Sequence, residues 1–442
     1  MIRNVCVLGV LLLLAACGGG GGGGSSASAS STPSNSMTPP PPATLNNFVS
    51  MIVDDGPAAL DTGADAFTSD DAAFVSVTVC APGSTTNCQT IDHVLVDTGS
   101  VGLRLIQSNL TPSVLSALPL ETDSSGNPVG ECFSFVDGFV FGSVRQADFT
   151  IGGEAVSDMP LQIIGDTGAF TSVPSSCSSG GGSDLATVQA LGANGIIGIG
   201  VTTTDCGSFC EQPGGFSAAI YYDCPSSGCS TVITRNAETT APFQQLPNPV
   251  AAMGVDNNGT IMTFPAVPAA GEATVTGTLF FGIGTETNNG LGSATVLTTT
   301  NSESPDGAGL VTAVYKGTSL PESFLDSGSS AYFFVDSTIA ECNGAGFTGF
   351  YCPASPLSET PTIEGQNGVS ASGAFTLQNA ETIFENNVAA APGIGINPNA
   401  ISGFQPFPNS FDFGLPFFFG RSVFTAIEGR TAGTTTGPYF AF

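Results

Sequence analysis

The apolar positions along this chain come in short runs. Segments rich in Val, Ile, Thr and Phe are separated by Gly, Pro, Asn, Asp and Ser, and few stretches repeat at helical spacing. That pattern predicts β-strands joined by turns, an all-β protein. Residues 250–254, 260–264 and 277–282 read as strands of this kind. Two further runs carry a common ending. His93-Val94-Leu95-Val96 leads into Asp97-Thr98-Gly99-Ser100, and Ser323-Phe324-Leu325 leads into Asp326-Ser327-Gly328-Ser329. Each is an apolar strand that ends on Asp, a hydroxyl residue, Gly and Ser. One copy is a weak signal, because Asp and Gly suit turns. Two copies in comparable settings suggest a duplicated lobe that presents two carboxylates to one cleft. The length of 442 residues is enough for two lobes with cores of their own.

The chain also holds Asp61-Thr62-Gly63-Ala64 and Asp166-Thr167-Gly168-Ala169. The first has no apolar strand on either side. The second follows an apolar run, Leu161 to Gly165, and so looks better locally. Both read as plain turns.

Charge narrows the partners. The net charge is -29, from 36 acidic and 7 basic residues, and the one Lys is Lys316. Such a surface repels phosphate backbones and anionic membranes, which argues against nucleic acid as a partner. No cofactor is expected from the motifs. Gly282-Ile283-Gly284 and the run from Gly18 to Gly24 lack the strand-loop-helix setting and the Lys of a phosphate loop.

The first residues read as a targeting segment. Arg3 precedes an apolar stretch, Val5 to Leu14, too short for a comfortable membrane span. Leu14-Ala15-Ala16-Cys17-Gly18 then resembles a bacterial lipobox, in which Cys17 is lipidated and becomes the first mature residue. The other reading is an ordinary secretory signal with an incidental Cys. Because Gly18 is not Asp, the resemblance implies outer-membrane sorting, on the periplasmic or the cell-surface face. Membrane contact would run through that lipid only. The expected organisation is a signal over 1–17, a Gly/Ser/Pro-rich tether over 18–46, an N-terminal β lobe over 47–245 and a C-terminal β lobe over 246–442.

Twelve Cys are present, ten of them after the signal. An even number in an exported chain suggests disulfides. Local pairs Cys80-Cys88 and Cys342-Cys352 are expected, which leaves Cys132-Cys177 and a cluster of Cys206, Cys210, Cys224 and Cys229 with open connectivity. That cluster is loosely spaced for zinc, and the one His, His93, is remote in sequence. No metal site is expected.

The two Asp segments, together with an apolar pair and Gly about a hundred residues after each, resemble the pepsin-like aspartic peptidases. Ile196-Ile197-Gly198 looks like the first-lobe copy of that second element, and Phe418-Phe419-Gly420 like the second-lobe copy. The tail from Pro438 to Phe442 resembles the closing strand. The likeness covers about residues 70 to 442. The chain is also similar overall to an uncharacterised family of bacterial secreted lipoproteins with pepsin-like motifs. The resemblance implies a bilobal all-β fold with a cleft between two lobes. It implies an endopeptidase in which Asp97 and Asp326 activate one water against an extended polypeptide. Two carboxyls sharing one proton supply both the base and the acid that this hydrolysis needs. Thr98 and Ser327 would hydrogen-bond across the loops. Gly99 and Gly328 would allow close approach, and Ser100 and Ser329 would hold the outer carboxylate oxygens.

The segment from Glu131 to Gly138 resembles the flap over such a cleft. Phe135 stands where the family usually has Tyr, so it lacks the hydroxyl. No basic pro-segment is visible. These two departures carry the alternative, a catalytically silent pepsin-like fold used as a surface binding or adhesion module. His93 reads as a structural residue. Arg104 and Arg421, rare cations that each follow a lobe motif, are expected to pair with buried carboxylates, the other reading being plain surface charge.

Overall fold

The computed structural model describes residues 46–61, 69–179, 182–206, 219–229, 231–232, 245–304, 307–401 and 409–442. Strands dominate, and the α-helices among these residues are single turns such as Ala380–Phe384. Period-two burial explains the strands. In Val275–Phe281 the side chains of Val275, Leu279 and Phe281 are buried while Thr276 faces solvent. Residues 250–254 are not a strand. Just before them stands Asn248, whose side chain accepts from Val250 N at 3.0 Å and bends the chain into a turn.

The fold is bilobal and mostly β. A central antiparallel sheet runs in the order Val296–Thr298, Tyr439–Ala441, Ser422–Ala426, Gly259–Thr263, Val275–Phe281, Phe48–Val53. It draws strands from both ends of the chain. From Phe48–Val53 the sheet passes to Phe74–Cys80 and into the first lobe. The second lobe has its own sheet, built around Val311–Tyr315 and Thr318–Leu325. Disulfides Cys80–Cys88, Cys132–Cys177, Cys224–Cys229 and Cys342–Cys352 staple the lobes, and Cys206 is disulfide-bonded as well.

Each Asp sits in the same local topology. Strand Cys88–Asp97 ends at the Asp97 loop, and the chain returns along Val101–Ile106. The two legs do not pair with each other at this point. Strand Gly195–Ile199 lies between them, parallel to the first and antiparallel to the second. All its residues are buried, because strands cover both edges and the core covers both faces. Full burial of one such aliphatic side chain contributes about 1.5–3 kcal/mol. The inserted strand thereby fixes the loop it passes behind.

The second lobe repeats the arrangement with Asp412–Phe413 inserted between Thr318–Leu325, parallel, and Tyr332–Phe333, antiparallel. The second-lobe element is therefore Phe413-Gly414, not Phe418-Phe419-Gly420. Gly198 pairs with Asp97, and Gly414 continues the same register towards Asp326. A Cβ on Gly198 would lie 2.6 Å from Val101 N, and one on Gly414 would lie 2.1 Å from the Ala331 carbonyl oxygen. Phe418 instead follows the 3-10 turn Leu415–Phe417, and Gly420 has φ 77° in the bend before Ser422–Ala426. The difference has a physical cause: the inserted strand carries a carboxylate, Asp412, where its first-lobe counterpart carries Ile196.

The lobes meet at the two loop tips. Thr98 N donates to Ser327 Oγ at 3.1 Å, and Ser327 N donates to Thr98 Oγ1 at 2.9 Å. The Ser327 hydroxyl donates onward to the Val96 carbonyl at 2.7 Å, and the Thr98 hydroxyl to the Leu325 carbonyl at 3.3 Å. Each hydroxyl thus accepts from and donates to the opposite loop.

Two outcomes follow from this geometry. Gly414→Ala forces a methyl into the Ala331 carbonyl and should cost about 1–3 kcal/mol in denaturant unfolding. Thr98→Val and Ser327→Ala each orphan buried backbone groups at roughly 1–3 kcal/mol per group. The double variant should lose less than the sum of the singles, since both remove the same reciprocal contact. Strict additivity in the double-mutant cycle would show that the loops do not depend on one another.

Candidate active site

Asp97 ends a strand whose last four residues are all buried, so its carboxyl is carried into the interior. Asp326 follows a strand ending on buried Leu325. Both Asp side chains are nearly inaccessible, at 1% exposure each. They lie within hydrogen-bonding reach of each other. Gly99 and Gly328 make that approach possible. A Cβ on Gly99 would fall 2.6 Å from Asp326 Cγ, and one on Gly328 would fall 2.7 Å from Asp97 Oδ1. Here glycine is required by space, whatever its backbone angles.

The loops hold the carboxyls by the same contacts. Oδ1 of Asp97 accepts from Gly99 N at 2.7 Å and Ser100 N at 3.1 Å. Its Oδ2 accepts a short hydrogen bond from the Ser100 hydroxyl. Oδ1 of Asp326 accepts from Gly328 N at 2.8 Å and, across the interface, from Gly99 N at 3.1 Å. Its Oδ2 accepts from the Ser329 hydroxyl at 3.0 Å. Thus Asp97, Thr98, Gly99, Ser100, Asp326, Ser327, Gly328 and Ser329 all converge on one point.

Burial pushes the Asp326 carboxyl well above the usual carboxylate range, and the neighbouring charges of Asp97 and Asp412 push the same way. The pair thus holds a proton more tightly than a lone exposed carboxyl would. Asp412 is a third buried carboxyl at the site that the sequence reading missed. The one signal for it was a lone Asp within Phe411-Asp412-Phe413-Gly414.

The hairpin of Val129–Ser134 and Gly138–Ile151 is present, with Phe135 in its turn. Phe135 N donates to the Gly138 carbonyl at 2.7 Å. The Phe135 ring is buried against Phe133, with centroids 4.9 Å apart, in a cluster with Leu60, Phe74 and Leu185. This hairpin is tied to the Asp97 return strand. Arg104 lies over the Phe133 ring at 3.9 Å and pairs with Glu131 at 2.6 Å and Asp205 at 3.1 Å, all three buried. Burial first, then the Glu131 charge, drives the Asp205 carboxyl up.

The remaining candidates lie elsewhere. Nε2 of His93 is 3.3 Å from Asp54, and its ring packs on Phe74. Asp166 pairs with Arg145 at 2.8 Å, and its Thr167-Gly168-Ala169 neighbours open a 3-10 turn. Arg421 donates to the carbonyls of Phe417 and Ala374, so the expected carboxylate partner is replaced by backbone that it pins in place. Residues 62–64 of the first extra Asp-Thr-Gly run and Cys17 lie outside the described residues.

Comparison with known proteins gives three results. No curated protein matches the chain. Among solved structures, a similar one is the crystal structure of aspartic proteinase from Irpex lacteus. The two share 14% identity at a TM-score of 0.49, over 89% of this chain and 96% of that one. The family described as "Protein of unknown function (DUF3443)" matches residues 43–442. That span is nearly the whole chain, so the protein belongs to this family.

Proposed function

We propose that the protein is an aspartic endopeptidase, exported and held to the bacterial outer membrane by a lipid on Cys17, with the tether and two lobes divided as the sequence suggests. The observation that carries the reading is the dyad: Asp97 and Asp326, buried side by side on two loops that clamp each other by their own hydroxyls. A water bound between them would lose a proton to one carboxylate as it attacks a peptide carbonyl. The other carboxyl, protonated, would polarise that carbonyl. Burial and the closeness of the two carboxyls oppose their ionising together, which keeps one proton on the pair. An extended peptide lying across the cleft as an added strand is the fitting substrate.

Phe135 favours a second reading. It stands in the hairpin without a hydroxyl to offer the cleft, which suits a binding or adhesion module that holds a peptide without cutting it.

The full-length protein, incubated with a peptide library from about pH 3 to 7, should cleave with a bell-shaped pH profile. Activity should fall on the alkaline side as the pair loses its shared proton. Asp97→Asn and Asp326→Asn should each lower kcat at least roughly 100-fold. A folded parent that binds peptides yet cuts none at any pH would establish the binding module instead. For the anchor, Cys17→Ser should move the protein from the membrane to the soluble fraction. Unchanged fractionation would remove the lipid from the proposal.

A further inference from the structure

The two halves of the dyad differ at one position behind it. Ile196 lies opposite Leu95, two residues before Asp97, and Asp412 lies opposite Phe324, two residues before Asp326. The topology therefore equates Ile196 with Asp412. Both are buried, but one is apolar and the other is a carboxyl.

Proton counting assigns the state of that carboxyl. The Ser329 hydroxyl donates to Asp326 Oδ2 at 3.0 Å, and its side chain also hydrogen-bonds Asp412. A hydroxyl has one hydrogen to give. With that hydrogen on Asp326, Ser329 Oγ meets Asp412 as an acceptor. One of the two carboxyls must then donate to Ser329, and a carboxyl donates only when protonated. Asp326 Oδ1 accepts two backbone N–H groups while Asp412 Oδ1 accepts none, so the charge is better placed on the dyad and the proton on Asp412.

The surroundings agree. The charged groups acting on Asp412 are Asp97 and Asp326, both acidic. The flanking strands place Phe324 and Phe333 opposite it, so they bring no counter-charge at that level. Oδ1 of Asp412 is buried without a hydrogen-bond partner, a position far less costly for a neutral carbonyl oxygen than for an ionised one. Burial pushes this carboxyl well above its ordinary range; a hydrogen bond from Ser329 would pull it down, and the Asp97 charge adds to the rise.

We propose that Asp412 is a positioning residue for the dyad, a neutral carboxylic acid that donates to Ser329 and so fixes the direction in which Ser329 donates to Asp326. Three carboxyls then share two protons and one negative charge. The inference rests on the reading of Asp97 and Asp326 as the reacting pair, but the state of Asp412 is measurable without catalysis.

The test uses Asp412→Asn, which keeps a donor towards Ser329, and Asp412→Ile, which copies the first lobe. Thermal unfolding of the full chain against pH is the first readout. A carboxyl whose folded pKa lies above its unfolded value, about 3.9, stabilises fully below that value. The contribution is lost as pH rises through the folded pKa. Measured against Asp412→Asn, the parent should therefore lose relative stability steadily as pH rises from about 4 towards neutrality. The infrared band of a protonated carboxyl at neutral pH should weaken in the same variant. A pH-independent gap with an unchanged band would overturn the neutral acid.

The second readout is kinetic. Asp412→Asn should keep kcat within about threefold and hold the pH profile. Asp412→Ile should lower kcat roughly tenfold with KM little changed. Full kcat in a folded Asp412→Ile protein would overturn the positioning role. If the parent cleaves nothing while the unfolding and infrared results hold, the neutral Asp412 stands and the peptidase reading alone falls. Should Asp412→Ile fail to fold, the Asn variant alone still decides the protonation state.

Discussion

Two side-chain hydroxyls carry the junction on which the site depends. The Asp97 and Asp326 loops turn inside the protein, where their backbone N–H groups have no water to bond. Thr98 and Ser327 supply the missing partners, each to the other's loop, and each then donates to a strand carbonyl behind that loop. A loop that satisfied its own groups would leave the lobes free to part. Because satisfaction is mutual, the loops are stable only when docked. Docking is what brings two carboxyls together against their repulsion. Gly99 and Gly328 set how near they come, since any Cβ at either position would strike the opposite carboxyl.

The scarcity of cations gives this junction its electrostatic character. Seven Lys and Arg serve a chain with 36 acidic residues. Among the described residues Arg104, Arg145 and Lys316 sit on carboxylates, and Arg421 and Arg430 sit on backbone carbonyls. Asp336 shows what a cation does. Burial pushes its carboxyl up, yet hydrogen bonds from Lys316, Thr338 and Tyr315 overcome this and leave it at about 2. Among the described residues the dyad has no such partner, and the charges acting on Asp326 are acidic. Its charge is balanced by protons instead, and a site balanced by protons has its chemistry set by pH.

The β class, the two Asp loops and the first inserted strand were legible in the sequence because each leaves a local signature. Apolar alternation marks the strands, and Asp-hydroxyl-Gly-Ser marks a loop whose every residue has a fixed partner. Ile196-Ile197-Gly198 was legible because a strand covered on both faces is apolar throughout. Its second-lobe counterpart was not. Asp412 interrupts the apolar run, and Phe418-Phe419-Gly420 a few residues later matches an apolar pair and Gly more plainly. Residues 250–254 were misread for a related reason. Their apolar side chains serve a turn closed by the Asn248 side chain, and short apolar runs do not distinguish the two. The partners of Arg104 were beyond reach because Glu131 and Asp205 arrive from distant parts of the chain.

The misread strand is also where the two lobes cease to be equivalent. A pair of carboxyls on identical loops would have no reason to favour either member as the holder of their common proton. Here the loops supply matching donors, through Ser100 on one side and Ser329 on the other. The difference lies one layer deeper, with Ile196 behind the first loop and Asp412 behind the second. An apolar residue there leaves the Ser100 hydroxyl engaged with Asp97. A carboxyl there gives the Ser329 hydroxyl a second partner besides Asp326. The duplicated scaffold supplies closeness by symmetry, and the departure from symmetry lies in the hydrogen bonding behind Asp326.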